Sequence, residues 1–238
     1  MTQNVLIIDG MNYFHRARAG SNLGEFGTIY QFFRMLRSDI EKRNPDSVYI
    51  VFEGNPIARK AMDTEYKANR IVDPEQEPEK HASNVKFFDH VAIARGILEK
   101  LPNISIVRHP YHEADDTIYN VIKQLEGNSV TLISTDTDFI QLLQKFDYVS
   151  IWNPIRKKFV EAPEYNYVSW KALKGDGADN IFGFDGIGDK RAAKLCSDRT
   201  LLKEFLSTEE KLDKYAMNYA LIDFIDFDKD DWQYYSRS

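Results

Sequence analysis

The chain has 238 residues, 43% of them hydrophobic and 13% aromatic, enough to bury one large core with a smaller appended lobe, and this composition excludes disordered and fibrous classes. A net charge of −6 argues against a general nucleic-acid coat, since sequence-independent affinity comes from lysines and arginines that displace counterions; any nucleic-acid contact must use local basic patches. The single cysteine, Cys196, excludes a disulfide framework and a thiolate metal cage, so a cytoplasmic setting is expected.

In chain order, the apolar run at residues 5–8 is too short for a signal sequence or a membrane span, and no membrane association is expected. It ends in Asp9-Gly10, the pattern of a buried parallel strand that delivers an acid at its carboxyl edge. A helical pattern covers 28–42, and residues 48–52 then repeat the strand pattern and end in Glu53-Gly54. Residues 55–82 break the alternation with Arg59, Lys60, Lys67 and Arg70 followed by an acidic, proline-containing stretch, an insertion whose length predicts a functional lid or a mobile loop. Helical patterns follow at 84–100 and 114–125, the second opened by Glu113-Ala114-Asp115-Asp116. A third strand at 130–134 leads into Asp136-Thr137-Asp138. Strands alternating with helices predict an α/β fold with a parallel sheet.

Further on, Arg156-Lys157-Lys158 between Trp152 and Phe159 reads as a hairpin tip, either touching duplex backbone or simply solvated. From about Pro163 the pattern turns helical, passes a glycine-dense stretch at 175–188 and ends in an acidic, aromatic tail. The expected division is a core over 1–162, including the insertion, and a helical lobe over 163–238.

In open parallel sheets the ligand crevice lies outside the carboxyl ends of the strands, so the strand-end acids should converge. Asp176 and Asp179, at i and i+3, share a face if their segment is helical. The candidates are Asp9, Glu53, Glu113, Asp115, Asp116, Asp136, Asp138, Asp176 and Asp179. Taken singly, an aspartate after a strand is more often a turn former or a helix cap, and an acid at a helix start complements the dipole. Convergence at one edge outweighs that reading. Two like charges about 4 Å apart repel by about 4 kcal/mol at an effective dielectric near 20, so such a cluster stays partly protonated or binds cations. An all-oxygen set favours Mg²⁺ or Mn²⁺, and the chemistry such a pocket suits is phosphodiester hydrolysis at a pair of ions.

Ile8-Asp9-Gly10-Met11-Asn12, Tyr66-Lys67-Ala68-Asn69-Arg70, Glu113-Ala114-Asp115-Asp116, Ser134-Thr135-Asp136-Thr137-Asp138-Phe139, Gly175-Asp176-Gly177-Ala178-Asp179-Asn180 and Gly186-Ile187-Gly188-Asp189-Lys190 occur in that order. Together they resemble the flap endonuclease family of 5′→3′ exonucleases, in particular the stand-alone phage enzymes and the 5′ nuclease domain of bacterial DNA polymerase I. The resemblance implies a parallel-sheet, PIN-like nuclease core with a helical arch over residues 59–70 and a helix-three-turn-helix over 176–197. It implies one metal group at Asp9, Glu53, Glu113, Asp115, Asp116 and Asp136 and a second at Asp138, Asp176 and Asp179, with Asp116 and Asp138 able to fall between them. Lys67, Arg70 and Arg16 match basic residues that act on the scissile phosphate. Arg59, Lys60, Gly186, Gly188, Lys190, Arg191 and Lys194 match DNA-contacting positions, with K⁺ at the glycine turn. One departure is Glu53, where the family usually carries aspartate; the extra methylene reaches about 1.5 Å further.

The implied substrate is branched or 5′-ended duplex DNA, cut near a single-strand/duplex junction, with RNA primers on DNA included. The implied enzyme is a monomer working beside replication proteins, in the host cytoplasm if phage-encoded. Two rival readings use the same residues: a non-catalytic junction binder, and a metal-dependent ribonuclease acting on single-stranded RNA. A dinucleotide-binding loop at 183–188 fits poorly, because the glycine spacing is wrong and no strand is expected before it.

Overall fold

Strand β1 (Asn4–Asp9) is buried on both faces, as its unbroken apolar sequence requires, and it forms the middle of the fold. The computed structural model describes residues 2–21, 24–70 and 72–227, and the backbone of 233–235. Among these, a seven-stranded sheet runs in the order β6-β5-β4-β1-β2-β3-β9. The strands are β2 (Ser47–Phe52), β3 (Ile104–Arg108), β4 (Ser129–Ile133), β5 (Val149–Asn153), β6 (Lys158–Phe159) and β9 (Gln233–Tyr235). β1 to β5 are parallel; β6 and β9 are antiparallel edges.

Alternating β1 side chains feed two separate cores. Leu6 and Ile8 pack with Tyr13 and Phe14 of α1 (Gly10–Ala19), Phe32 and Leu36 of α2 (Gly27–Arg43), and Phe87, Ala94 and Leu98 of α4 (Pro78–Leu98). Val5 and Ile7 pack on the opposite face with Ile118, Val121 and Ile122 of α5 (Ala114–Lys123) and Leu142 of α6 (Ile140–Lys145). The result is a three-layer α/β fold. Because the strand order departs in both directions from β1, the crevice at the switch point lies between the carboxyl ends of β1 and β4.

The insertion holds α3 (Ile57–Met62) and a 3-10 turn at Ala68–Arg70, and α4 already begins at Pro78 inside the expected span of 55–82. A helix through 59–70 does not form. The segment lies down on the chain at 176–180 instead: Lys67 N–H donates to Asp179 O, Asn69 to Gly177 O and Asn180 to Glu65 O.

The helical part contains α7 (Tyr167–Lys174), α8 (Asp189–Ser197), α9 (Arg199–Phe205) and α10 (Glu209–Ile222). Its two small cores include Val168, Ala172, Ile181 and Leu221 with Tyr66 of the insertion, and Leu173, Ile187, Ala192 and Leu195. Of the expected lobe at 163–238, residues 228–232 and 236–238 lie outside the described residues, and the described helices end at Ile222. After Ile222 the chain turns back: Phe224 is buried against the sheet and stacks on Tyr119 at 5.3 Å, and β9 pairs with β3. The basic tip at 156–158 does close a hairpin, with Trp152 paired to Phe159 and Lys157 at φ 52°.

Candidate metal centre

At the switch point Asp9 ends β1 and caps α1, one oxygen accepting Asn12 N–H at 3.1 Å and the other the Ser134 hydroxyl at 2.9 Å. Ser134, just past β4, also accepts Asp136 N–H, and Asp136 accepts Asp138 N–H. These local turns are what the bland reading of a strand-end aspartate predicts, and they aim the carboxylates at one another. Glu53 follows β2 and accepts Ala114 N–H at 3.3 Å, next to the first turn of α5. Gly54 permits this placement, since a Cβ there would stand 1.8 Å from His109 O.

The residues line a single cavity of about 1120 Å³ whose wall includes Asp9, Glu53, Asp115, Asp136, Asp138, Asp176 and Asp179 with Lys67 and Arg70. Asp176 and Asp179 are not on a helix. They sit in a tight hairpin between β7 (Gly175–Asp176) and β8 (Ile181–Phe182), and oxygens of Asp138, Asp176 and Asp179 still lie within 4.8 Å of one another. Gly175 at φ +86° and the close approach of Gly183 let this hairpin form.

The protonation of the cluster reflects its crowding. Burial, with added repulsion from Asp136 and Asp115, pushes Asp9 up to about 7. Glu53 opens toward solvent but is surrounded by protein; desolvation and the charges of Asp115 and Glu113 push it up to about 8. Desolvation raises Asp138 to about 7 against the pull of Lys171, and it raises Asp136 as well. Asp176 is the exception: despite desolvation, the hydrogen bond and charge of Lys171 hold it below the usual carboxylate range.

Lysines stand among these acids. Lys171 of α7 meets Asp138 and lies 2.6 Å from Asp176. Lys67 meets Glu113 and lies 3.7 Å from Asp179, and Arg70 pairs with Asp179. The Tyr66 hydroxyl lies 3.0 Å from Glu113 and 3.2 Å from Asp179, joining the two acidic groups.

A protein family described as 5′-3′ exonuclease, N-terminal resolvase-like domain, matches residues 4–171. The chain belongs to that family. It is 31% identical over 233 residues to DNA polymerase I of Caldicellulosiruptor bescii, covering 87% of this chain and 26% of the polymerase. It is 29% identical over 225 residues to a 5′-3′ exonuclease of Mycoplasmopsis pulmonis, covering 87% of this chain and 71% of that protein. The chain thus spans about a quarter of the polymerase relative. Among solved structures, T5 D15 protein co-crystallised with metal ions superposes with a TM-score of 0.77 at 21% identity, covering 93% of this chain and 90% of that one, a likeness of fold.

In this 5′-3′ exonuclease family member several residues stand elsewhere than the sequence suggested. Asp116 does not reach the cavity: it is fully buried and both its oxygens meet Arg59. Adjacent positions on a helix diverge by about 100°, so Asp115 faces the cavity while Asp116 turns away from it toward Arg59. Arg59, expected to touch DNA, is 2% exposed and bound to Asp116 and Glu113; Lys60 beside it is exposed. Glu113 is 1% exposed and off the cavity wall, linked to it through Lys67 and, by way of Tyr66, through Asp179. Arg16 is not on the wall and stands 5.0 Å over the Tyr13 ring. Lys190, Arg191 and Lys194 are exposed on α8, next to a second cavity of about 450 Å³ lined by residues 182–188 with Lys174 and Lys214. Lys171 is not among the sequence candidates, and Tyr66, which opens the motif at 66–70, carries no role there. The signal for Lys171 was its place five residues before Asp176, on the helix that leads into the acidic hairpin.

Proposed function

We propose that this chain is a divalent-metal-dependent 5′ nuclease that hydrolyses phosphodiesters at single-strand/duplex DNA junctions, acting as flap endonuclease and 5′→3′ exonuclease. The observation that carries this reading is the convergence of seven carboxylates with Lys67 and Arg70 on one cavity at the switch point of the sheet.

The donor set fits Mg²⁺, with Mn²⁺ able to replace it: every ligand is a carboxylate oxygen, and where three of them crowd together the chain places the ammonium of Lys171, a cation of its own. Asp9, Glu53, Asp115 and Asp136, with Glu113 behind them, would hold one ion, and Asp138, Asp176 and Asp179 the other. Bound there, such ions supply activation of water and neutralisation of the phosphodiester. The chain's own residues do the rest. Lys67 and Arg70 give the scissile phosphate two cationic donors on the cavity wall, and Tyr66 keeps Glu113 and Asp179 together.

The helical part, with Lys190, Arg191 and Lys194 exposed and Gly186 at φ +70° in the turn before α8, forms the duplex-binding lobe, with K⁺ bound at the turn among Gly186 and Gly188. Recognition is of backbone and free 5′ end rather than base sequence. Substrates include RNA primers paired to DNA, and the enzyme works as a monomer alongside replication proteins. Among the described residues no helix is long and apolar enough to cross a membrane; the setting proposed is the cytoplasm.

The discriminating test compares an end-labelled 5′-flap duplex, a flap whose first nucleotides are RNA, and single-stranded RNA of the same sequence, each with Mg²⁺. Cutting confined to the two flaps, at the junction, is expected. Equal cutting of free RNA would overturn the junction specificity in favour of a ribonuclease.

A further inference from the structure

Arg59 spends its whole guanidinium inside the fold. Its Nε donates to Leu221 O at 2.8 Å, Nη1 to Glu113 Oε2 at 2.9 Å and to Asp116, and Nη2 to Asp116 Oδ1 at 2.8 Å and Asp223 O at 3.0 Å. All five guanidinium N–H groups are accounted for. Three separate pieces of chain meet at this one side chain: the insertion that carries Lys67 and Arg70, the first turn of α5, and the strap at 221–227 that leaves the helical part.

The strap is held to α5 by more than Arg59. Ile225 N–H donates to Asp116 Oδ1 at 2.9 Å, so the carboxylate that receives the guanidinium also receives the strap. Asn120, one turn along α5, donates to Ile225 O at 2.8 Å and accepts Phe227 N–H at 3.3 Å. Phe224 anchors the strap in the core beside Tyr119.

On the other side of the same node lies the acidic cavity. Glu113 accepts from Arg59 and Tyr66 at Oε2 and from Lys67 at Oε1, so the guanidinium is one of three donors that fix how this carboxylate is turned. Asp115 stands on the same helical turn between Glu113 and Asp116. Remove the fork and two carboxylates, each 1% exposed or less, lose the cation that lets them share this space, and the turn bearing Asp115 has to rearrange.

We propose that Arg59 is a positioning residue for the cavity carboxylate Asp115 and for Glu113 behind it, and that the strap at 221–227 acts on the metal centre through it. The proposal rests on the metal-nuclease reading above. An ammonium cannot reproduce it, because a point charge lacks the planar fork that meets two carboxylates and two carbonyls at once.

The test uses the full chain as Arg59→Lys and as Asn120→Ala, the second loosening the strap without touching the guanidinium or any acid of the cavity. Four readings are taken: the thermal melt, Mn²⁺ binding to the protein alone by calorimetry, flap binding in EDTA, and the Mg²⁺ concentration for half-maximal flap cleavage. For Arg59→Lys we expect Mn²⁺ affinity to fall at least about tenfold, the scale on which residues orienting ligands act, with flap binding in EDTA unchanged within about twofold. The half-activating Mg²⁺ concentration should rise in step while the rate at saturating Mg²⁺ falls less. Asn120→Ala, one step further from the acids, should shift both quantities the same way as Arg59→Lys but by less. A variant that melts lower yet binds Mn²⁺ and is activated by Mg²⁺ as the unmodified protein would reduce Arg59 to a structural residue and overturn the proposal. Should Arg59→Lys fail to fold, unchanged Mn²⁺ affinity in Asn120→Ala has the same force. If the unmodified protein binds no Mn²⁺, the metal reading itself fails, and that failure is visible before any variant is made.

Discussion

The ammonium of Lys171 stands 2.6 Å from the Asp176 carboxylate while also meeting Asp138, so the chain supplies an internal cation between acids that belong to different elements. With its side chain 10% exposed, Lys171 is held charged, its pKa raised by both partners despite burial. Lys171→Met removes that cation and leaves Asp138, Asp176 and Asp179 to repel. In EDTA the variant should lose about 3 kcal/mol of stability, the scale for breaking a buried pair, and Mn²⁺ should recover much of it. Chemical denaturation with and without Mn²⁺ measures both; equal midpoints for variant and parent in EDTA would contradict the role.

The raised carboxyl groups give the metal-free protein a pH dependence of definite sign. Asp9 moves from 3.8 to about 7, Asp138 from 3.8 to about 7 and Glu53 from 4.5 to about 8. A carboxyl raised on folding binds its proton more tightly in the folded state. The stability it contributes is full below the unfolded value and is lost as pH rises through the folded one. In EDTA the melting temperature should therefore drop between about pH 4 and pH 8, and an added divalent ion should raise it more at the upper end than at the lower. A metal-free melt that is flat across this window, followed by scanning calorimetry, would refute the assignment.

The sequence displayed the acid-bearing strand ends plainly, because each short apolar run stops at the residue that faces the crevice: Asp9, Glu53 and the Asp136–Asp138 pair all line the cavity. The parallel α/β core follows from the same pattern. What stayed hidden depends on direction in space. Asp115 and Asp116 are equivalent as letters, and only the helical rotation between them separates a cavity acid from a buried partner of Arg59. An arginine among exposed basic residues looked like a surface charge because its acceptors, Leu221 O and Asp223 O, lie more than 160 positions away. The return of the chain to β3 through β9 carries no local signal at all.

Glycine 54 lets the carboxyl end of β2 pass against the loop that leads into α5. A methyl group there would meet His109 O at 1.8 Å and His112 O at 2.3 Å, both backbone atoms. Gly54→Ala should cost about 1–3 kcal/mol through forced backbone displacement and, because Glu53 moves with it, weaken Mn²⁺ binding. Calorimetric titration of the folded variant checks the second effect; unaltered Mn²⁺ affinity would detach Glu53 from the centre.

The exposed lysines of α8 make a separate prediction. Lys190→Ala and Lys194→Ala should each weaken flap binding uniformly across base sequences and lower the slope of log affinity against log salt by about one, as expected for the loss of a phosphate contact. Fluorescence anisotropy in EDTA over a range of KCl concentrations reads this directly, and unchanged slopes would move the duplex away from α8.

The most direct measurement is the cleavage of an end-labelled 5′-flap duplex by the unmodified protein in Mg²⁺, by the same protein in EDTA, and by Asp136→Ala in Mg²⁺. Product at the junction in the first case and none in the other two is the predicted result. Tight flap binding without product in Mg²⁺, or product that persists in Asp136→Ala, would contradict a metal-dependent nuclease centred on these carboxylates.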